Sequence, residues 1–289
     1  AQFGMNYGIT NIKGKIKQQE VKRILEIATK NDINFIDTAQ SYGNSEKVIG
    51  MSLPENNSYN IISKLKKLPN NIDKEDLYEF LDNSLQNTLI NLNKKNIDAL
   101  LLHNSSDLYG ENGDLLLSWI NKKIEEKIIK RFGVSIYDYS EVENIPLKKI
   151  QIIQLPISLF DQRFIFNGTL EYLQNNDISI HARSIFLQGL ILTDTEKLPS
   201  FLSNSFIENH QKFTNYCFNN KIKKLELAIS FIKSIDYLES ILIGIENEYQ
   251  LKQIINVWGK CNQIRDNLNF KSWNMKNIYD IDPRKWPNA

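Results

Sequence analysis

Cysteine is almost missing: only Cys217 and Cys261 occur among 289 residues. Two isolated thiols build neither a disulfide framework nor a tetrahedral zinc site. Histidine is as scarce, with three in the chain and none in an H-x-x-x-H arrangement, so no catalytic metal is expected. No run of about 18 apolar residues exists, so no transmembrane helix is expected. The N-terminus lacks a secretory pattern, and the protein is expected in the cytoplasm. An excess of one charge is lacking too. Lys and Arg number 35 and Asp and Glu 34, for a net charge of +1. A general nucleic-acid binder needs surplus positive charge against phosphate, so that class is set aside. There is no Pro/Gly/Ser-rich linker, no low-complexity segment and no short repeat. The chain therefore reads as one domain over 1–289, with 260–289 as an Asn-rich C-terminal tail.

What the sequence does have is a 42% hydrophobic share laid out in alternating short runs and stripes. A helix is expected over 18–30, with Val21, Ile24, Leu25 and Ala28 on one face. Residues 33–36 read as a buried strand ending at Asp37. A second strand covers 59–64. Asp73 reads as the N-cap of a helix striped by Leu77, Leu81, Leu85, Leu89 and Leu92. Further strands are expected at 97–102, up to Ser135, and at 150–155, 178–182 and 240–243. Helices are expected at 114–126, 139–144, 168–175, 221–233 and 248–258, with a long loop over 188–212. That makes seven strands. The sequence starts at Ala1 rather than Met, and Gln2-Phe3-Gly4 read as the end of an eighth strand whose start is missing. Eight strands alternating with amphipathic helices fit a (β/α)8 TIM barrel, an α/β fold. A doubly wound sheet is the weaker alternative, because no G-x-G-x-x-G follows the first strand.

Barrel chemistry sits at the C-terminal ends of strands. Asp37, Tyr42, Lys64 and His103 fall there. Tyrosine is a poor proton donor near neutrality, an ammonium lowers its pKa, a carboxylate holds the ammonium, and a histidine can bond a substrate oxygen. Taken singly, each has a plain structural explanation: a turn cap, a rim aromatic, a surface charge, a histidine under a loop. Together, on three strand ends, they argue for a site.

The segment Phe35-Ile36-Asp37-Thr38-Ala39-Gln40-Ser41-Tyr42-Gly43-Asn44-Ser45-Glu46 resembles the signature of the aldo-keto reductases. Ile62-Ser63-Lys64, Leu100-Leu101-Leu102-His103, Gly133-Val134-Ser135, Ile153-Gln154-Leu155-Pro156, Arg183-Ser184 and Gln188-Gly189-Leu190 follow in that family's order. The resemblance implies a barrel that reduces carbonyls with a nicotinamide cofactor. It makes Tyr42 the general acid, Lys64 the group that lowers its pKa, Asp37 the partner of Lys64, and His103 the residue that orients the carbonyl. Ser135 and Gln154 match positions that bind the carboxamide. Ile136 stands where Asn is usual. Arg183 takes the place of an aromatic that stacks on the nicotinamide, and Ser184 lies near the pyrophosphate. Gly244, Glu246 and Asn247 match the segment that contacts the adenosine 2′-phosphate. NADPH is the family habit, but the carboxylate of Glu246 suits a free 2′-hydroxyl, which leaves NADH open. The Phe160–Arg163 and Phe186–Leu190 runs resemble a bacterial branch associated with surface polysaccharide, which implies a sugar-related carbonyl. Trp273, Tyr279 and Trp286 of the tail are expected to pack as a lid rather than line the pocket. The substrate is expected to be a small molecule, with no nucleic-acid or membrane partner. Two other readings stay open. One is a nicotinamide-binding regulatory barrel without significant turnover, and the other a Schiff-base enzyme using Lys64.

Overall fold

The computed structural model describes residues 1–12, 14–54, 59–69, 71–261 and 269–287. Helix α1 (Gln18–Lys30) buries the four residues of its expected stripe. It leads to β1 (Phe35–Asp37), α2 (Ser45–Gly50) and β2 (Asn60–Leu65). Helix α3 (Lys74–Leu92) opens at Asp73, whose carboxylate accepts the Asp76 N–H at 2.9 Å. That bond satisfies one of the donors left open at a helix start. The helix stops at Asn93, in the left-handed region at φ 52. Strand β3 (Ile97–Leu102), α4 (Gly113–Glu125), β4 (Ile129–Ser135), β5 (Ile152–Pro156), α5 (Arg163–Phe166), α6 (Thr169–Asn175) and β6 (Ser179–Arg183) follow. Then come α7 (Asn204–Asn219), α8 (Lys224–Lys233), β7 (Leu238–Ile241), α9 (Glu248–Lys260) and, in the tail, α10 (Ile278–Ile281). No helix among the described residues is long and apolar enough to cross a membrane.

The strands are parallel and in chain order, β1 through β7. The sheet is curled. Laid flat, β1 and β5 would stand about 19 Å apart, four strand spacings. Instead Gln154 of β5 bonds Asp37 of β1 at 2.8 Å. Phe35 of β1 meets His181 of β6 with ring centroids 6.2 Å apart. Arg131 of β4 reaches Glu239 of β7 at 2.9 Å. Residues 2–4 form a turn, so the expected eighth strand is not seen there, and no ladder joins β7 to β1 among the described residues.

Strand alternation explains where the polar groups go. Phe35, Ile62, Ala99, Leu101 and Ile152 form a small apolar cluster inside the curl. Ile36, Ile61, Leu100, Val134, Ile153 and Ile180 belong to the larger core between sheet and helices. Two residues beyond Phe35, Ile62, Leu101 and Ile152 lie Asp37, Lys64, His103 and Gln154. They share the inward face, one layer nearer the C-terminal ends. Gly133 shows how tight the wall is. A Cβ there would stand 2.0 Å from the carbonyl oxygen of Ile152 on the next strand. Gly133→Ala is expected to destabilise the protein by about 1–3 kcal/mol, since backbone must shift to make room. A thermal unfolding midpoint equal to the parent's would contradict this.

Two expectations fail in particulars. The loop expected over 188–212 holds the start of α7, a helix of 16 residues. Ser203 caps it by accepting the Phe206 N–H, and Phe206, His210, Phe213 and Cys217 are buried at helical spacing. The stripe is built from aromatics, a histidine and a cysteine rather than aliphatics, and so escapes an aliphatic periodicity. The expected helix at 139–144 is a 3-10 turn capped by Asp138. Trp119 lies in the core, whereas Trp258 is 40% exposed, with the Lys233 ammonium 4.8 Å from its ring.

Candidate active site

The site grows out of the turn after β1. Thr38 hands its N–H to the Ile62 carbonyl, which continues the ladder one residue past the strand. Gly43 then takes φ +57, and a Cβ there would lie 2.8 Å from the Gly4 carbonyl oxygen. Only glycine turns the chain at that point without strain. Behind the turn, the carboxylate of Glu46 is buried and accepts the Ser63 hydroxyl at 2.6 Å. The turn is thereby pinned to β2, and Tyr42 is held over the end of the barrel.

Lys64 is fully buried. Its Nζ donates to both carboxylate oxygens of Asp37, at 2.7 and 2.6 Å, and to the Thr38 carbonyl at 3.0 Å. All three ammonium hydrogens are used. Burial lowers the pKa of Lys64, and the carboxylate of Asp37 opposes that. The ammonium stands 5.2 Å from the centre of the Tyr42 ring. Tyr42 meets His103 edge to face, with centroids 5.6 Å apart. The four expected residues are therefore together.

The electrostatics differ from the sequence expectation at one point. Burial, helped by the charge of Asp37, raises the pKa of Tyr42 well above the usual tyrosine value. The cation that opposes this rise is Arg183 rather than Lys64. Lys64 is spent on Asp37 and Thr38, so its charge is largely neutralised where it lies. Tyr42 thus stays a protonated phenol throughout the neutral range. His103 is pulled down to about 4 by burial, with Lys64 and Arg183 adding to the shift. It is a neutral imidazole at pH 7. Its Nδ1 lies 2.8 Å from the Ser41 hydroxyl. With Ser41 as donor, Nε2 carries the proton and can donate to an oxygen.

A cavity of about 660 Å³ opens from this cluster. Asp37, Tyr42, His103, Ser135, Gln154, Arg183, Ser184, Gly244 and Glu246 all line it. Asn247 is not on that wall. Its side chain caps α9 by accepting the Gln250 N–H at 3.0 Å. Gln154 spends its Nε2 on Asp37, leaving its oxygen for a ligand. Ser184 adopts φ +61, and Leu187 and Gln188 also have positive φ, a cluster of uncommon backbone beside the cavity. Ile136 is buried, and its carbonyl accepts Arg183 Nη2 at 2.9 Å.

Sequence reasoning missed three groups. Tyr7 and Tyr137 line the cavity, and Ser41 holds His103. Tyr137 lies between two guanidiniums, with Arg183 3.9 Å and Arg284 3.7 Å from its ring centre. Its place two residues past Ser135 was the available signal. The tail rings stay off the cavity wall. Trp273 packs on Phe213 and Tyr216, Trp286 on Phe201, and Tyr279 is 65% exposed. Cys217 and Cys261 are free and buried, and burial pushes the Cys217 thiol up to about 11.

The model of the aldo/keto reductase family matches residues 3–267 of the chain. The chain belongs to the aldo/keto reductase family. No curated protein matches it in sequence. Among solved structures, this aldo-keto reductase is similar to one from Bacillus halodurans in its apo form, with a TM-score of 0.67 and 17% identity. That match covers 94% of each chain. It is also similar to an aldo-keto reductase from Klebsiella pneumoniae solved with NADPH, with a TM-score of 0.62 and 16% identity, covering 87% of each chain. At these identities the likeness speaks for the fold, a (β/α)8 barrel in those relatives.

Proposed function

We propose that this aldo-keto reductase reduces an aldehyde or ketone with a nicotinamide cofactor, Tyr42 giving the proton. One observation carries the reading. The protonated Tyr42 phenol, neutral His103 and the Lys64–Asp37 pair meet at one end of a cavity large enough for an extended ligand. When bound, the nicotinamide supplies the hydride for the carbonyl carbon. His103 donates from Nε2 to the carbonyl oxygen and so fixes its position. Tyr42 transfers its phenolic proton to that same oxygen as negative charge builds there. Arg183, whose charge opposes the rise in the Tyr42 pKa, and Lys64, 5.2 Å from its ring, are positive charges around the phenolate left behind. Asp37 holds Lys64 in place and is itself held by Gln154.

The wall suits a dinucleotide. Ser135 and the Gln154 oxygen would hold the carboxamide, Arg183 and Ser184 the neighbouring part, and Gly244 to Glu246 the adenosine end. The Klebsiella relative named above was solved with NADPH. In this chain the amides at the start of α9 are already bonded. Glu246 N–H donates to Gln250, Glu248 N–H to the carboxylate of Glu20 at 2.7 Å, and Gln250 N–H to Asn247. A 2′-phosphate there meets two carboxylates, Glu20 and Glu246, which favours NADH. The polar wall beside Tyr42, with Tyr7, Tyr137 and Arg183, suits a hydroxylated, sugar-related carbonyl.

Calorimetric titration with NADH and with NADPH tests the cofactor side, and loss of nicotinamide absorbance with an aldehyde panel tests turnover. Binding is expected for both, tighter for NADH. The pH profile of kcat/KM adds a second check. His103 stays neutral down to about 4, so no acid limb from it is expected between about pH 8 and about pH 5. Binding without reduction of any aldehyde would sink the reductase reading, and an acid limb near the ordinary histidine value would sink the role of a neutral His103.

A further inference from the structure

We infer that Arg284 of the C-terminal tail is a positioning residue for the cofactor: acting through the ring of Tyr137, it holds the Arg183 guanidinium in place against a bound nicotinamide. This role rests on the reductase reading above, which gives Arg183 to the cofactor. Tyr137 and Arg183 line the cavity, and Arg284 lies behind them, off that wall. Arg183 stands 3.9 Å from the centre of the Tyr137 ring, and Arg284 3.7 Å from it on the other face. Both distances are van der Waals contact, so the three groups form one packed stack. The tail thereby reaches the site at one remove, although its own rings stay off the cavity.

Arg183 needs such a backing. Its guanidinium has one hydrogen bond of ordinary length, from Nη2 to the Ile136 carbonyl at 2.9 Å, and a long one of 3.4 Å from Nη1 to the Ser184 hydroxyl. Its buried Nε has no hydrogen-bond partner among the described residues. One bond at one corner leaves a planar group free to swing, and contact with a ring removes that freedom. Tyr137 is pinned at its backbone, where its N–H donates to the Glu141 carboxylate at 2.7 Å. Its ring can still turn, and Arg284 closes the other face. Arg284 is itself fixed. Its Nε donates to Asp282 Oδ1 at 3.0 Å and its Nη2 to Oδ2 at 2.6 Å, and Asp282 is buried. The pair carries no net charge, so Arg284 backs the ring without repelling Arg183 across it. The tail also has anchors that do not involve Arg284. Asp280 accepts the Ser203 N–H and hydroxyl, the Met275 N–H donates to the Phe160 carbonyl, and Trp286 packs on Phe201. The contact of Arg284 with Tyr137 is therefore not what docks the tail.

The test is a set of double-mutant cycles on NADH affinity, measured by calorimetry. Arg284→Met is expected to weaken binding by about 3–10-fold, the worth of one cation–ring contact. Arg183→Met is expected to weaken it at least as much. Adding Arg284→Met to Arg183→Met, or to Tyr137→Leu, is then expected to change affinity by less than about twofold, because the route from the tail is already cut. An unchanged affinity in Arg284→Met alone overturns the inference. So does an equal loss with and without Tyr137 and Arg183. Either result leaves the reductase reading standing. Should Arg284→Met not fold, Arg284→Lys carries the same test. It keeps a cation for Asp282 but has no plane to lay on the ring, and a loss of about 2–5-fold is expected. Should the parent bind no nucleotide, the cofactor reading fails, and the free protein decides. With isotope-labelled arginine, the NMR signal of the Arg183 Nε–H, identified by its loss in Arg183→Met, reports how firmly the guanidinium is held. Faster exchange of that proton with water in the Arg284 variant keeps Arg284 as the residue that holds Arg183, and unchanged exchange removes it.

Discussion

Lys64→Met is expected to lower the thermal midpoint by about 6–20 °C. Breaking a buried ion pair from one side costs about 3–5 kcal/mol, because the remaining charge loses its partner. For a domain of this size each kcal/mol moves the midpoint by about 2–4 °C. Here the stranded group is Asp37, whose side chain is 16% exposed and would keep only the single bond from Gln154. The Thr38 carbonyl would also lose its donor. The companion variant is Asp37→Asn with Lys64→Met. It leaves no lone charge, so it is expected to recover much of the lost stability while remaining inactive. Unfolding curves of the single and double variants check this. A single variant as stable as the double would show that the pair contributes through packing rather than charge. The same pair explains why the site needs Lys64 so deep. An ammonium at the surface would be held loosely, whereas here three oxygens fix it 5.2 Å from the Tyr42 ring.

Tyr42→Phe is expected to reduce kcat by about 10²–10⁴-fold, the range a positioned general acid supplies. The fold should barely notice. The Tyr42 hydroxyl makes no hydrogen bond among the described residues, so removing it breaks no contact, and the ring keeps its edge-to-face packing on His103. Nucleotide affinity is expected to stay within about twofold, because the lost group acts on the carbonyl oxygen. Steady-state rates and calorimetry on one preparation separate these effects. Full turnover in the phenylalanine variant would remove Tyr42 from the mechanism. A large fall in nucleotide affinity would recast it as a binding residue.

Much of the architecture could be read from local signals. The leucine stripe of α3 and the cap at Asp73 are properties of a few adjacent residues, and local backbone geometry honours them. The strands were legible as short apolar runs, with ends misjudged by a residue or two, because pairing with a neighbour decides where a ladder stops. Helix α7 was not legible, since its buried face is Phe206, His210, Phe213 and Cys217. The order Asp37, Tyr42, Lys64 and His103 was legible as a resemblance, and strand alternation explains why three of them face inward.

The partners of those residues were another matter. By itself the sequence determined the repeating strand–helix plan, the absence of a disulfide framework, and which residues stand at strand ends, because each follows from composition or short spacing. Only the tertiary structure decided what surrounds them. Curling of the sheet joins Gln154 to Asp37 across 117 positions of sequence. It brings Arg183 against Tyr137 and Arg284 against that ring's other face. It left Arg183 without a carboxylate partner among the described residues and put the carboxylate of Glu20 at the start of α9. Charge and hydrogen bonding act over a few ångströms of space, and separation along the chain does not predict such distances.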